Sequence, residues 1–248
     1  MSRTFVTASI PYVNAEPHVG YALELVQSDV LARHRRRRGE EVRFQAGTDD
    51  NSLKNVRAAE RAGVPTQVFV DRVGGRFRDL TGALDLSLDD FIATSSDPRH
   101  RPGVEALWRA CAERGDLYRK AYAGRYCVGC EAYYTETELP GGRCPEHGTV
   151  PEVVEEENWF FRLSTYEEPL AELIRTGRLR IVPKTRRREV LAFVESGLDD
   201  LSVSRSVARA HGWGVPVPDD PGQVVYVWFD ALANYLPAPG YPTDPAGF

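Results

Sequence analysis

An α/β fold is predicted, with a parallel sheet interrupted by an inserted segment, and three observations predict it. Strand-like and helix-like patterns alternate at the start of the chain. The loops that carry chemistry follow the strands. After about Leu117 the pattern gives way to an aromatic, cysteine-bearing stretch. Alternation of strand and helix favours parallel pairing with helices on the sheet faces. Such sheets place ligands at the carboxyl ends of their strands.

Phe5 to Ile10 reads as a buried first strand ending at Pro11. Pro17 suits a first helical turn. Val19, Ala22, Leu23, Val26, Val30 and Leu31 then recur at helical spacing, up to a stop at Gly39. Glu41 to Ala46 is a second strand, closed by Gly47-Thr48-Asp49-Asp50, and a second helix runs from about Ser52 to Ala62. Tyr118 to Tyr134 reads as short strands, Val150 to Glu157 as an acidic linker, and Glu189 to Gly197 as a helix ended by glycine. Val224 to Phe229 is expected to be a buried strand that rejoins the parallel sheet. The domain reading is therefore residues 1–117 with 223–248, and an inserted connective domain at 118–222.

Composition narrows the function classes. The 248 residues carry a net charge of −5, so a whole-chain electrostatic grip on nucleic acid is not indicated. The longest apolar run, Val224 to Phe229, is far too short to span a bilayer. The N-terminal stretch lacks the apolar core of a signal peptide. A soluble, cytoplasmic protein without a membrane partner is expected. Arg33 and Arg35 to Arg38 close a helix, where cations complement the dipole, and a solvated face explains them better than RNA binding.

Cys127-Val-Gly-Cys130 and Cys144-Pro-Glu-His147 form two short chelate loops with thirteen residues between them. Three thiolates and one imidazole suit tetrahedral zinc. All four positions are filled by protein, so the expected role is structural. His18 and Gly20 stand at a helix start, where free N–H groups and the dipole favour phosphate; a plain cap is the bland alternative. Asp49 and Asp50 offer acids for an ammonium group, against ordinary turn chemistry. Trp228 and Tyr235 offer aromatic walls, against plain core.

Taken together, the run SIPYVNAEPHVGY, the segment AGTDD, the stretch YCVGCEAYYTETEL…CPEHG and the later runs NWFFRLS, EVLAFVESGLDDLSVSR, WGVPVP and VYVWFDALANY resemble methionyl-tRNA synthetase, a class I aminoacyl-tRNA synthetase. The resemblance covers nearly the whole chain. It implies a Rossmann-like domain of the class I type and ATP, with magnesium, as substrate beside methionine or a similar amino acid. It implies a methionine pocket lined by Ile10, Tyr12, Trp228, Ala231, Leu232 and Tyr235, with Asp49 on the ammonium. His18 and Gly20 fall on the ATP signature. Tyr21 falls where the second signature histidine stands, and Asp50-Asn51-Ser52 replaces Glu-His-Gly. The lysine-rich loop and the anticodon-binding domain lie beyond these residues. Weak adenylate formation by the chain alone is therefore expected, without tRNA charging, and a partner chain is a candidate source of the missing half. A tRNA-independent biosynthetic paralogue, for example of the hydrazine-forming type, and a non-catalytic binding module are the alternatives.

Overall fold

The computed structural model describes residues 2–130 and 132–244. Its first layer is a parallel sheet of β1 (Arg3–Thr7), β2 (Glu41–Thr48) and β3 (Asp90–Ala93), in the order β1-β2-β3. β1 and β2 run from Arg3 beside Glu41 to Thr7 beside Gln45, and β2 and β3 from Gln45 beside Asp90 to Thr48 beside Ala93. The crossovers are α1 (Val19–Arg37), then α2 (Leu53–Ala62) and α3 (Thr66–Ala83); α4 (His100–Glu113) follows β3. Phe44, Leu25, Val13 and Val70 are fully buried between sheet and helices.

The expected first helix forms, but the residues that mark its period are not the ones the sheet covers. Tyr21, Leu25, Asp29 and Ala32 face the core, while Val19, Leu23, Val26, Val30 and Leu31 are exposed. The arginines at its end are held in ion pairs: Arg33 with Asp29 at 2.6 Å, Arg35 with Glu40 at 3.0 Å, and Arg36 with Asp89. The second helix starts and stops as expected. The Ser52 hydroxyl accepts from the Lys54 N–H, and Gly63, at φ 66°, takes the left-handed cap.

The segment after α4 is built on one long antiparallel pair. β4 (Leu117–Cys127) and β6 (Glu152–Phe161) pair from Leu117 beside Phe161 to Tyr126 beside Glu152. β5 (Ala132–Tyr134) and β7 (Leu201–Ser202) complete the order β5-β4-β6-β7. This corrects the linker reading of Val150–Glu157. Its carboxylates are tolerated on a strand because neighbouring groups meet them. Glu157 lies 2.9 Å from Arg119, Glu152 lies 3.0 Å from Arg57, and Glu156 accepts from the Ser206 hydroxyl at 2.6 Å. α5 (Glu167–Arg175) and α6 (Lys184–Glu195) pack on each other through Ala171, Ile174 and Val194.

The strand expected at Val224–Phe229 is also corrected. β8 (Ser204–Ser206), β9 (Pro216–Val217) and β10 (Asp220–Val225) form a separate antiparallel sheet, β8-β10-β9, and Val227–Ala233 is a helix, α7. The apolar run is too short for its period to separate strand from helix. Its buried members, Val227, Asp230 and Ala233, are spaced three apart, as one helix face requires. The chain still returns to the parallel sheet, through side chains instead of a ladder. Gln45 Nε2 donates to Asn234 Oδ1 at 2.5 Å, and Asn234 Nδ2 donates to the Ile92 carbonyl at 3.2 Å.

Candidate functional site

The carboxyl ends of β1 and β2 lie side by side. Tyr12 and Asp49 form an isolated parallel bridge, and the Asp49 N–H donates to the Pro11 carbonyl at 2.8 Å. Asp49 is 5% exposed. Asn55, fully buried on α2, donates to the carbonyls of Asp49 at 2.9 Å and Asp50 at 2.8 Å, fixing the turn from both sides. A side chain on Gly47 would meet the Ile92 carbonyl oxygen at 2.2 Å, so this crossing of β2 and β3 admits only glycine, with Ile10 against it. Tyr235, just past α7, reaches the same place. Burial raises its hydroxyl pKa, opposed by a hydrogen bond with the Ile10 backbone and reinforced by the charges of Glu24 and Asp49. Lys54 Nζ sits 4.3 Å from the centre of the Tyr12 ring.

Ile10, Tyr12, Asp49 and Tyr235 are thus brought together. Ala231 is half-buried on α7. Trp228 and Leu232 stand apart, 48% and 67% exposed. Trp228 stacks on Tyr226 and lines a cavity of about 650 Å³ with Tyr118, Phe160 and Arg205.

His18 caps α1. Its Nδ1 accepts from the N–H groups of Gly20 at 3.1 Å and Tyr21 at 3.3 Å. An accepting Nδ1 carries no proton, so in the neutral ring Nε2 carries it and remains a donor. A Cβ on Gly20 would come within 3.0 Å of that ring. Tyr21 does not share this exposed end. Its side chain is 4% exposed, packed edge-on against Phe77 with ring centres 5.3 Å apart. Burial raises its hydroxyl pKa strongly, with Glu24 and Tyr235 adding to the effect. Tyr21 stands on the sheet-facing side of α1, four residues before Leu25, with its hydroxyl within electrostatic reach of Tyr235.

Sequence reasoning missed the polar network beneath the strand ends. Asp230 on α7 is fully buried, and both its oxygens are used. Asn51 Nδ2 donates to Oδ2 at 2.8 Å, and His100 Nε2 donates to Oδ1 at 2.8 Å. His100 is itself fully buried. Asp50 lies beside this network, 2% exposed, with Oδ2 accepting from the Ser95 hydroxyl at 2.8 Å and the Ser95 N–H at 3.2 Å. Its Oδ1 has no hydrogen-bond partner among the described residues. Desolvation pushes the Asp50 carboxyl up to about 6, against the lowering effect of those bonds. A lone acid in the run WFDALA was the one available signal. His100 gave none, being 130 positions from its partner.

The predicted metal ligands converge. The donor atoms of Cys127, Cys130, Cys144 and His147 all lie within 4.8 Å of one another. Cys130 Sγ is 3.4 Å from Cys144 Sγ and 3.2 Å from His147 Nδ1, and no cysteine is in a disulfide. Three sulfurs and one imidazole nitrogen at these separations fit a single tetrahedral ion. The Tyr134 hydroxyl donates to Cys130 Sγ at 3.1 Å, orienting that ligand from outside. A Cβ on Gly129 would lie 2.6 Å from the His147 ring, so the knuckle needs glycine there.

The family described as tRNA synthetases class I (M) matches residues 4–150 and 138–247. The chain belongs to the class I tRNA synthetase (M) family. Among curated relatives, the methionine–tRNA ligase of Rhizobium meliloti is 44% identical over 250 residues, covering 99% of this chain and 48% of that protein. That of Brucella suis is 43% identical over 248 residues, covering 98% and 47%. A crystal structure of Mycobacterium tuberculosis methionyl-tRNA synthetase bound by methionyl-adenylate superposes with a TM-score of 0.91 at 42% identity, covering 98% of this chain and 48% of that one. The free-state structure of the same enzyme gives 0.81. This synthetase-family chain therefore spans about half the length of the relatives it matches. No helix among the described residues is long and apolar enough to cross a membrane.

Asp50 provides a stability test. Its folded pKa of about 6 lies above its ordinary 3.8, so the fold favours the protonated form. That contribution is complete below about pH 4 and is lost as pH rises through about 6. Asp50→Asn cannot ionise. Its stability relative to wild type, from urea unfolding, should rise by about 2 kcal/mol between pH 4 and pH 7. A difference that stays flat with pH contradicts this reading.

Proposed function

We propose that this chain forms the ATP- and methionine-binding half of a methionine-activating ligase. The observation that carries the proposal is the meeting of Ile10, Tyr12, Asp49 and Tyr235 at the strand ends of a chain that superposes on an adenylate-bound relative with a TM-score of 0.91 at 42% identity. The converged residues suit the substrate. The Asp49 carboxylate binds the α-ammonium, and Ile10, Tyr12, Ala231 and Tyr235 take the flexible thioether side chain. Trp228 and Leu232 are the further wall residues that the family resemblance implies. His18, through its Nε2–H, and Gly20, through backbone space, hold the phosphates of ATP, which arrives with magnesium. Residues 1–117 and 223–248 act as this binding unit, and 118–222 as the connective insert.

The reaction joins a methionine carboxylate oxygen to the α-phosphorus of ATP while the bond to pyrophosphate breaks. The residues named here contribute position and charge. Orienting two bound reactants is itself a large catalytic term. The Cys127, Cys130, Cys144 and His147 donors would hold zinc, which organises the knuckle and leaves no open position for chemistry. Charging of tRNA by these 248 residues alone is not part of the proposal. The relatives being methionine–tRNA ligases, the biosynthetic paralogue and the bare binding module are not favoured.

Calorimetric titration with a non-hydrolysable methionyl-adenylate analogue tests the binding role without requiring turnover. Asp49→Ala should weaken binding by about tenfold to a hundredfold, the worth of a charge-assisted hydrogen bond. ATP–pyrophosphate exchange should follow with methionine in preference to other amino acids. Analogue affinity indifferent to Asp49→Ala would remove the ammonium role.

Metal analysis tests the second element. Purified protein should hold about one zinc per chain, and Cys144→Ser should lower that content and the melting temperature together. Metal-free, fully folded protein with a Cys130–Cys144 disulfide would contradict the zinc assignment.

A further inference from the structure

The first turn of α2 meets the strand ends with two consecutive side chains. Asn55 holds the carbonyls of Asp49 and Asp50. Lys54 precedes it, about 100° away around the helix axis. Its backbone is fixed by the cap, the Ser52 hydroxyl accepting from the Lys54 N–H at 3.0 Å. Its ammonium sits over the Tyr12 ring, 4.3 Å from the ring centre. That is well inside the roughly 6 Å over which a ring face attracts a cation. Arg57, three residues on, pairs with Glu152 at 3.0 Å, whereas Lys54 joins no ion pair among the described residues. Both cations line a cleft of about 470 Å³ between α2 and the cysteine knuckle, with Asn14, Gly129 and His147.

Tyr12 needs such a hold. It lies in the loop between β1 and α1, and its side chain is only half-buried. The bridge to Asp49 fixes its backbone, not the direction of its ring. A cation over one face limits that direction before a ligand arrives. Freedom already given up is not lost again on binding, so a wall held in place raises affinity. We infer that Lys54 is a positioning residue: its ammonium holds the Tyr12 ring as a wall of the amino-acid pocket without touching the ligand. One turn of α2 then sets the acid through Asn55 and the aromatic wall through Lys54. The inference rests on the reading of Tyr12 as a pocket residue.

Calorimetry with the non-hydrolysable methionyl-adenylate analogue tests it. Lys54→Met keeps the apolar stem and removes the charge, and should weaken binding about threefold to tenfold. Lys54→Arg, which also sits over aromatic faces, should restore most of the loss. In a Tyr12→Leu background, Lys54→Met should change affinity by less than about twofold, because the ring it acts through is gone. A second readout needs no ligand. With fluorotyrosine in place of Tyr12, Lys54→Met should move the fluorine resonance of the free chain, and Lys54→Arg should move it less. Lys54→Gln is the second neutral variant, used where Lys54→Met lowers the melting temperature. Equal weakening in both backgrounds overturns the inference, since Lys54 would then act on the ligand or the fold directly. Parent-like binding by the neutral variants overturns it too, as does a fluorine resonance indifferent to the charge on Lys54. A parent chain that binds no analogue removes the pocket reading itself, and this role with it; parent binding that ignores Lys54 removes this role alone.

Discussion

The buried carboxyl group of Asp230 is the constraint on which the site's geometry depends. A carboxylate without water is costly unless its oxygens are engaged. Here they are: Asn51 satisfies Oδ2 and His100 satisfies Oδ1, each at 2.8 Å. The three residues come from three places in the sequence. Asn51 follows β2, His100 begins α4, and Asp230 lies beyond the insert on α7. The carboxyl can be buried only when all three arrive together. One group therefore ties the end of the second strand to a helix nearly 180 residues later.

The positions of Asp49 and Tyr235 follow from that tie. Asn51 is held by Asp230, and Asp49 lies two residues before it with its carbonyl fixed by Asn55. Tyr235 lies five residues after Asp230, and Gln45 and Asn234 add a second buried link between the same elements. This end of the parallel sheet is thus assembled from a turn and a helix that meet through polar contacts.

Legibility in the sequence followed the range of the interaction. Local signals succeeded. Ser52 and Gly63 bounded α2, and the two chelate loops located the cysteine cluster, since each rule spans only a few residues. Period failed where an element's environment, not its own residues, decides. The run at Val224–Phe229 satisfies a strand or a helix, and β10 and α7 divide it. The acids of Val150–Glu157 suggested a linker because Arg57 and Arg119, which meet them, lie far off in the chain. Tyr21 stood in a motif position yet faces the core. His100 had no local pattern at all. The apolar period of α1 was legible, but which side the sheet would cover was not.

Asp230 and Asn51 act as one unit, joined at 2.8 Å. A double-mutant cycle on unfolding free energy, using Asp230→Ala, Asn51→Ala and the pair, measures this directly. A coupling of about 1–3 kcal/mol is expected, because Asn51→Ala strands the buried Asp230 carboxyl and Asp230→Ala strands the half-buried Asn51 amide, and the double change relieves both. Additivity within about 0.5 kcal/mol would show the two residues to be independent, and the tie across the insert would lie elsewhere.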